Sequence, residues 1–468
     1  MRLEEIIRNT GATVVRGKAD TEITSICSDS RKAAKGALFI AVKGCSIDGH
    51  DFIDAAVEAG ADAVVSADRK GLALCAANFY GHPSEKLQLV GITGTNGKTT
   101  TVTLLYHLFM GLGYNCGLLS TIANYVGTHR TETANTTADP ITINSLLSEM
   151  VDAGCEYCFM EVSSIGVEQD RVTGLKFKAG IFSNLTHDHL DYHGTFAEYL
   201  RCKKLFFDTL PADAVAITNI DDKNGMVMVQ NTAAKVVTYS CRNVADHTCR
   251  IMEESFEGMM LKIDGVEVWT RLIGQHNAYN LLAIYSAALA VGATQEEALV
   301  SLSRLESAPG RLENLRGPRD ISVIVDYAHT PDAMENVLKT LRDIAPEKQL
   351  ICLFGCGGDR DKTKRPEMAK VAEEFADRIF VTSDNSRTER TEDILEDIKK
   401  GFSPVGMAKA IFISDRKEAI RTSIMTAPNG ATILLAGKGH ENYQIIGKEK
   451  RHFDEKEIVK EIFDSIQA

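Results

Sequence analysis

The sequence predicts an α/β fold in three domains, and two observations carry that expectation. Strand-like and helix-like runs alternate over most of the 468 residues, the pattern of parallel sheets covered by helices, and a glycine-rich strand-to-helix junction sits in the second stretch. At roughly one domain per 150 residues the length fits about three domains. Residues 1–86 form the first, an α/β unit with a strand at 37–42 and a helix at 52–59, closed by the turn-forming Gly81-His82-Pro83-Ser84. Residues 87–308 form the central one, with strands at 87–93, 157–162, 180–184 and 214–219 in a mostly parallel sheet, then a helix at 276–291. The register breaks near Ala308-Pro309-Gly310. Residues 309–468 then repeat strand and helix regularly, with strands at 321–326, 350–354, 378–382, 410–413 and 432–436. That regularity predicts a Rossmann-like domain whose ligand chemistry lies at the carboxyl ends of its strands.

Composition narrows the function. Lys plus Arg number 52 against 64 for Asp plus Glu, a net charge of -12, which argues against nucleic acid or a membrane surface as a general partner. Arg2, Glu4, Glu5 and Arg8 occupy the stretch where a secretory signal needs an apolar run, so a cytoplasmic protein is expected. The longest segment free of charged side chains, 99–129, is interrupted by Thr, His, Gly and Asn too often to span a bilayer. The 11 cysteines contain no C-x-x-C pair, which fits reduced thiols better than a disulfide framework or a cysteine zinc site.

The sharpest local signal is Gly91-Ile92-Thr93-Gly94-Thr95-Asn96-Gly97-Lys98-Thr99-Thr100, after an apolar strand and before a helix expected over 101–112. Glycines let backbone N–H groups converge on phosphate oxygens, the helix N-terminus adds positive partial charge, Lys98 neutralises phosphates and a hydroxyl ligates magnesium. The expected ligand is a nucleoside triphosphate. Ile92 stands where a strict Walker loop has its first glycine, so this is a shortened variant. Downstream, Glu161 ends an apolar strand, where a magnesium contact belongs. The segment 184–193 then packs three histidines and two aspartates into ten residues, open either to metal or phosphate chemistry or to a plain solvated loop.

Together with Asp29-Ser30-Arg31, Asp48-Gly49-His50, Asn135 to Pro140, Glu161 to Ser164, Asp188 to His193, Gly310-Arg311, Asp326 to Asp332 and Gly437 to Glu441, this loop resembles the Mur ligases, nearly end to end. These are ATP-dependent amide-forming enzymes of bacterial cell-wall synthesis; the related folylpolyglutamate synthetases would leave the first-domain motifs without a role. The resemblance, strongest to the tripeptide-forming branch, implies that ATP phosphorylates a substrate carboxylate and that an amino-acid amine captures the acyl phosphate. It implies that Gly94, Thr95, Asn96, Gly97, Lys98, Thr99 and Thr100 bind ATP, with Asn277, Asn280, Arg311 and Asp326 completing the nucleotide site. Thr99 and Glu161 would hold one Mg2+ and His189 a second, with Lys203 carrying a carbamate (N6-carboxylysine) as a further ligand. UDP-N-acetylmuramoyl-L-alanyl-D-glutamate would bind through Ser28, Ser30, Arg31, His50, Asn135, Thr136, Thr137, Ser163, Gln169 and Arg171. Without the resemblance, Asp29-Ser30-Arg31 reads as a turn with a local ion pair, Lys203 as a surface lysine, and Arg311 as a partner of Glu313. Ile165 departs from the family, which usually carries histidine there.

The same resemblance assigns the incoming amino acid to Arg360, Asp384, Asn385, Arg387, Gly437 and Glu441. Meso-diaminopimelate ends in an amine and a carboxylate, so its recognition needs an acid and a cation; lysine lacks the distal carboxylate and would face the arginines with a like charge. Ser386 replaces the proline common in this loop, and Arg387 paired merely with Glu389 is the competing reading. Meso-diaminopimelate is therefore expected over L-lysine as the amino acid added, and the enzyme is expected to be a monomer. A phosphate-loop kinase would not explain a large third domain bearing the Arg, Arg, Glu constellation, and a non-catalytic UDP-sugar scaffold predicts no turnover with any amino acid.

Overall fold

The computed structural model describes residues 1–44, 47–133, 135–186 and 190–467. It divides into two compact units, the first made of Met1–Leu185, His193–Thr248 and Leu282–Ser301, the second of Thr186–Tyr192, Cys249–Leu281 and Leu302–Ala468.

The first unit holds two sheets. The smaller runs Thr13–Arg16, Ala63–Ala67, Ala37–Val42, Ser25–Cys27 across its width, parallel except for its first strand. The larger has a parallel series Lys235–Ser240, Val215–Asn219, Ala179–Phe182, Gln88–Thr93, Tyr157–Glu161, Cys116–Leu119, edged by the short antiparallel Asn124–Val126 and His129–Thr131. Its central strands are buried on both faces, which explains why they read as unbroken apolar runs. The glycine-rich loop leaves the carboxyl end of Gln88–Thr93, which lies between Tyr157–Glu161 and Ala179–Phe182, two strands that both come later in the chain. Such a crevice at the carboxyl edge of a sheet is where α/β folds bind ligands.

The second unit contains an antiparallel meander, His247–Ser255, Gly258–Ile263 and Val266–Thr270, which the sequence reading did not predict. Its main sheet runs Glu313–Arg316, Ser322–Asp326, Thr432–Ala436, Leu350–Phe354, Arg378–Val381, Ala410–Phe412, parallel after the first pair. Two hydrophobic cores cover its faces, one around Leu338, Phe354 and Ile379, the other around Leu353, Phe380 and Ile433. Helix Pro331–Ile344 is started by Thr330, whose hydroxyl accepts the Ala333 amide, with proline in the first turn where its missing N–H costs nothing. No helix among the described residues is long and apolar enough to cross a membrane.

Beneath this sheet Arg416 is fully buried and donates to Glu455 (2.8 Å), the Ser383 carbonyl and the Ala436 carbonyl. Burial pushes the Glu455 carboxyl above its usual range, against the pull of Arg416. Replacing one partner of such a pair strands the other charge. Arg416→Met is expected to lower stability by about 3–5 kcal/mol, read from urea unfolding, whereas a loss under about 1 kcal/mol would show the pair to be energetically idle.

Candidate functional site

The phosphate loop is built by its neighbours as much as by its own sequence. Helix Lys98–Gly111 begins directly at Lys98, three residues earlier than expected, because Gly97 takes a left-handed backbone (φ +87) and turns the chain into the helix. Gly94 (φ +151) admits no side chain: a Cβ there would lie 1.9 Å from Ser183 Oγ. Thr95 and Asn96 donate their amides to the Asn184 carbonyl (2.8 Å) and side chain (2.9 Å), and Ser183 Oγ donates to the Asn96 carbonyl (2.7 Å). Strand Ala179–Phe182 accordingly ends two residues before the expected position, freeing Ser183 and Asn184 for this contact. Lys98 Nζ donates to the carbonyls of Gly94 and Thr95, both at 2.8 Å.

Lys203 is no surface lysine. Its side chain is buried, with Nζ 2.7 Å from the Gly94 carbonyl and 4.7 Å from the Tyr199 ring centre. The Nζ atoms of Lys98 and Lys203 thus meet at one carbonyl of the loop. Tyr199 also reaches the Thr95 hydroxyl (3.1 Å).

Glu161 ends its strand as expected and is buried. One carboxylate oxygen accepts the Thr121 amide (2.8 Å); Oε2 has no hydrogen-bond partner among the described residues. A buried, unsatisfied carboxylate oxygen is costly unless a cation takes it, so the residue fits a divalent metal. Thr99 and Thr100, also buried, supply hydroxyls at the start of the adjoining helix. Among the described residues no three His, Cys, Asp or Glu side chains cluster as a ready-made metal site. His189 lies outside the described residues. His193, in the same motif, is buried with Nε2 2.9 Å from Ser164 Oγ.

Several residues expected at the UDP-linked substrate converge next to Glu161. The Thr137 hydroxyl donates to the Glu161 carbonyl (2.9 Å) and accepts the Ser163 amide (3.0 Å). Arg171 donates to the Thr137 carbonyl (2.6 Å) and to Gln169 Oε1. The Thr121 hydroxyl joins Thr136 (3.1 Å), while Asn135 is exposed. Elsewhere in this unit, Asp29 accepts both the backbone and the guanidinium of Arg31, so the turn with a local ion pair is what forms. Arg31 holds the Asp29 carboxyl down at about 2. Ser28 is exposed and Ser30 half-buried beside it. Asp48 caps the next turn in the same way, and His50 bridges Asp48 (2.6 Å) and Ser66 (2.7 Å).

In the second unit Arg311 does not pair with Glu313, which instead accepts the Gly310 amide and contacts Lys456. Arg311 lies over the Tyr327 ring (5.0 Å), itself flanked by His329 and His440. Burial, with Arg311 nearby, lowers His276 and His440 to about 4, so both are neutral near pH 7. Asp326 receives the amides of Leu312 and Ala328, both at 2.7 Å, and burial raises its carboxyl. Asn277 and Asn280 are buried and joined, Nδ2 of Asn280 donating to Oδ1 of Asn277 (3.0 Å).

The residues expected at the amino acid gather at the carboxyl edge of the second unit's main sheet. Asn385 organises them: its side-chain amide donates to Glu441 (2.9 Å), its side-chain oxygen accepts the Ile445 amide (2.8 Å), and its carbonyl faces Arg387 Nη1 (3.4 Å). Arg387 adopts a left-handed backbone (φ +50), held by Ile445 and Gly447, and donates to the Gly358 carbonyl (2.8 Å). It therefore does not pair with Glu389. Arg360 is exposed nearby: a Cβ added to Gly357 would stand 3.0 Å from Arg387 Nη1 and 3.7 Å from Arg360 Cγ. Gly437 is left-handed (φ +112) and faces Asp384. Sequence reasoning passed over Lys438, fully buried and shared among Asp384, Asn385 and Glu441 at 3.3–3.4 Å. Lys438 keeps the buried Asp384 carboxyl below its usual range despite desolvation.

Three family models match the chain: the Mur ligase catalytic domain over residues 22–88, the Mur ligase middle domain over 92–289 and the Mur ligase glutamate ligase domain over 310–439. A relative from Cytophaga hutchinsonii, named UDP-N-acetylmuramoyl-L-alanyl-D-glutamate–2,6-diaminopimelate ligase, is 48% identical and covered over 100% of both chains. One of the same name from Geobacillus kaustophilus is 39% identical over 98% of this chain and 99% of its own. A solved structure of an enzyme with that name superposes with a TM-score of 0.71 at 31% identity, covering 100% of this chain and 99% of the other. A MurF ligase from Thermotoga maritima in complex with ADP shares the fold at 19% identity, with a TM-score of 0.65 over 95% and 97% of the two chains. The chain belongs to the Mur ligase family, ATP-dependent amide-forming enzymes with a three-domain α/β fold.

Proposed function

We propose that this enzyme adds meso-diaminopimelate to UDP-N-acetylmuramoyl-L-alanyl-D-glutamate in peptidoglycan precursor synthesis. The observation that carries the choice of amino acid is Asn385, which ties the cation Arg387 to the anion Glu441, so that groups of opposite charge stand ready for an acceptor bearing both an ammonium and a carboxylate. The names of relatives aligned over the whole chain support the reading.

An unactivated carboxylate resists amines because oxide is a poor leaving group, so phosphoryl transfer comes first. Lys98 and the amides around Gly94 to Thr100 hold the ATP phosphates. Thr99 and Glu161, with His189 and Lys203 as its carbamate, would hold Mg2+, which neutralises phosphate charge when bound. Arg171, Gln169, Thr137, Thr136, Asn135 and Ser163, with Ser28, Ser30, Arg31 and His50, bind the UDP-linked dipeptide. Asn277, Asn280, Arg311 and Asp326 complete the nucleotide site. The acceptor amine, oriented through Arg360, Asp384, Asn385, Arg387, Gly437 and Glu441, attacks the acyl phosphate and releases phosphate. Residues 1–86, 87–308 and 309–468 serve as the UDP-sugar, ATP and amino-acid domains of a cytoplasmic monomer, with neither nucleic acid nor membrane as partner.

The test is an ATP-driven assay comparing meso-diaminopimelate with L-lysine. Wild-type enzyme is expected to prefer meso-diaminopimelate strongly. Arg387→Ala removes a charged hydrogen-bond donor worth about 1.5–3 kcal/mol, so the KM for meso-diaminopimelate should rise roughly 10- to 150-fold, with the KM values of ATP and UDP-dipeptide unchanged. Unaltered acceptor kinetics in that variant would refute the assignment.

A further inference from the structure

Two loops carry the acceptor arginines, and each contains a non-glycine residue in the left-handed region: Asp359 (φ +54), next to Arg360, and Arg387 (φ +50). Such conformations persist only when the surroundings over-determine them. Here the surroundings are a network centred on Arg365, an arginine with no exposed surface. Its guanidinium binds both oxygens of Glu389 (2.9 and 3.0 Å), Asp397 (2.9 Å) and the Gly357 carbonyl (3.2 Å). Glu389 in turn accepts the Asp359 amide (2.6 Å), while Asp359 accepts the amide and hydroxyl of Thr388 (3.2 and 2.7 Å). Gly358 donates to the Asn385 carbonyl (2.9 Å) and accepts from Arg387. Apart from the Arg365–Asp397 pair, every one of these bonds runs between the segment 357–359 and the segment 385–389, or fastens one of them to Arg365.

We propose that Arg365 and Glu389 are positioning residues that set the spacing of Arg360 and Arg387, and so tune the enzyme for an amino acid with a second carboxylate. The inference rests on the acceptor assignment above. Arg365 has no exposed surface with which to meet a substrate, and both carboxylate oxygens of Glu389 are engaged by Arg365 and the Asp359 amide. The buried guanidinium fixes Gly357, beside which both arginines lie, and Glu389 locks the left-handed turn that presents Arg360. The spacing of two guanidinium groups matters for a planar carboxylate, because a misplacement of about 1 Å can cost on the order of a hundredfold.

The experiment measures steady-state kinetics on the full chain with meso-diaminopimelate and with L-lysine. Glu389→Gln keeps the side-chain shape and removes the charge Arg365 grips. The expected result is a meso-diaminopimelate KM raised about tenfold or more, with kcat, the KM values of ATP and UDP-dipeptide, and the L-lysine kcat/KM all within about twofold. Asp359→Gly, at an exposed position where glycine tolerates the left-handed backbone, should shift the same KM in the same direction by less. A general loss of domain integrity would depress both acceptors and every KM together. An unchanged preference between the two amino acids in both variants, or equal losses with both acceptors, overturns the proposal. Arg387→Ala run alongside separates the two ideas: if it alone collapses the preference, the acceptor site stands and the positioning role falls; if it too changes nothing, the acceptor assignment itself fails.

Discussion

Lys98→Ala is expected to reduce kcat by about a thousandfold while leaving the fold intact. Removing one preorganised charge from a site where charge develops costs about a hundred- to a thousandfold. The upper end applies because the ammonium is anchored by the Gly94 and Thr95 carbonyls within the loop proposed to hold the phosphates. The stability cost should be small, roughly 1–2 kcal/mol, since the lost hydrogen bonds join a half-buried lysine to backbone that the Ser183 and Asn184 contacts still brace. Lys98→Arg should rescue poorly: a planar guanidinium does not fit a socket made for a compact ammonium between two carbonyls. Lys203 converges on the same Gly94 carbonyl, so a double replacement should fall less than the product of the single losses if both act through the loop. Product formation is read as UDP-linked tripeptide together with ADP and phosphate. Retention of a tenth or more of wild-type turnover would remove the phosphate loop from the chemistry.

What the sequence disclosed and what it hid follow from how local each interaction is. Gly94 to Thr100 was legible because strand, glycines, lysine and helix are contiguous. Its braces were not, since Ser183, Asn184 and Lys203 lie 87 to 109 residues away and only the folded sheet brings them back. The Asp29 turn was readable as a local pair closing over two residues, and the Asp48 turn, not read that way, closes over the same distance. Arg311 was open to a neighbouring glutamate on paper, yet the structure stacks it on Tyr327. Buried cations are the hardest class. Arg365, Arg416 and Lys438 resemble surface residues in any composition count, and nothing nearby announces that Glu389, Glu455 or Asp384 will pair with them. In the meander over 247–270 a bulge between Ile251 and Glu253 breaks the two-residue alternation of the first strand, whereas the next two strands pair in regular register around Asp264-Gly265, a turn signal that was there to be read.

Glu161→Gln separates stability from function in one substitution. The side chain is almost fully buried, forms no ion pair among the described residues, and leaves Oε2 without a partner, while Oε1 accepts the Thr121 amide. Glutamine keeps the shape and, through its carbonyl oxygen, the bond to Thr121, but it carries no charge. Without metal, the variant should therefore be as stable as wild type or more so, because a charge buried without a counter-ion is a standing cost that the neutral amide avoids. With Mg2+ and ATP the order should invert: wild type gains melting temperature through a ligand that binds only the folded state, and the variant gains much less. Turnover should fall at least about a hundredfold, since a neutral oxygen is a poor ligand for a hard divalent ion. Calorimetry with and without Mg2+ and nucleotide reads the inversion directly. Should the variant be less stable in the absence of metal and yet gain as much from Mg2+ as wild type, Glu161 would be a structural acid serving Thr121, and the cation would be held by other groups.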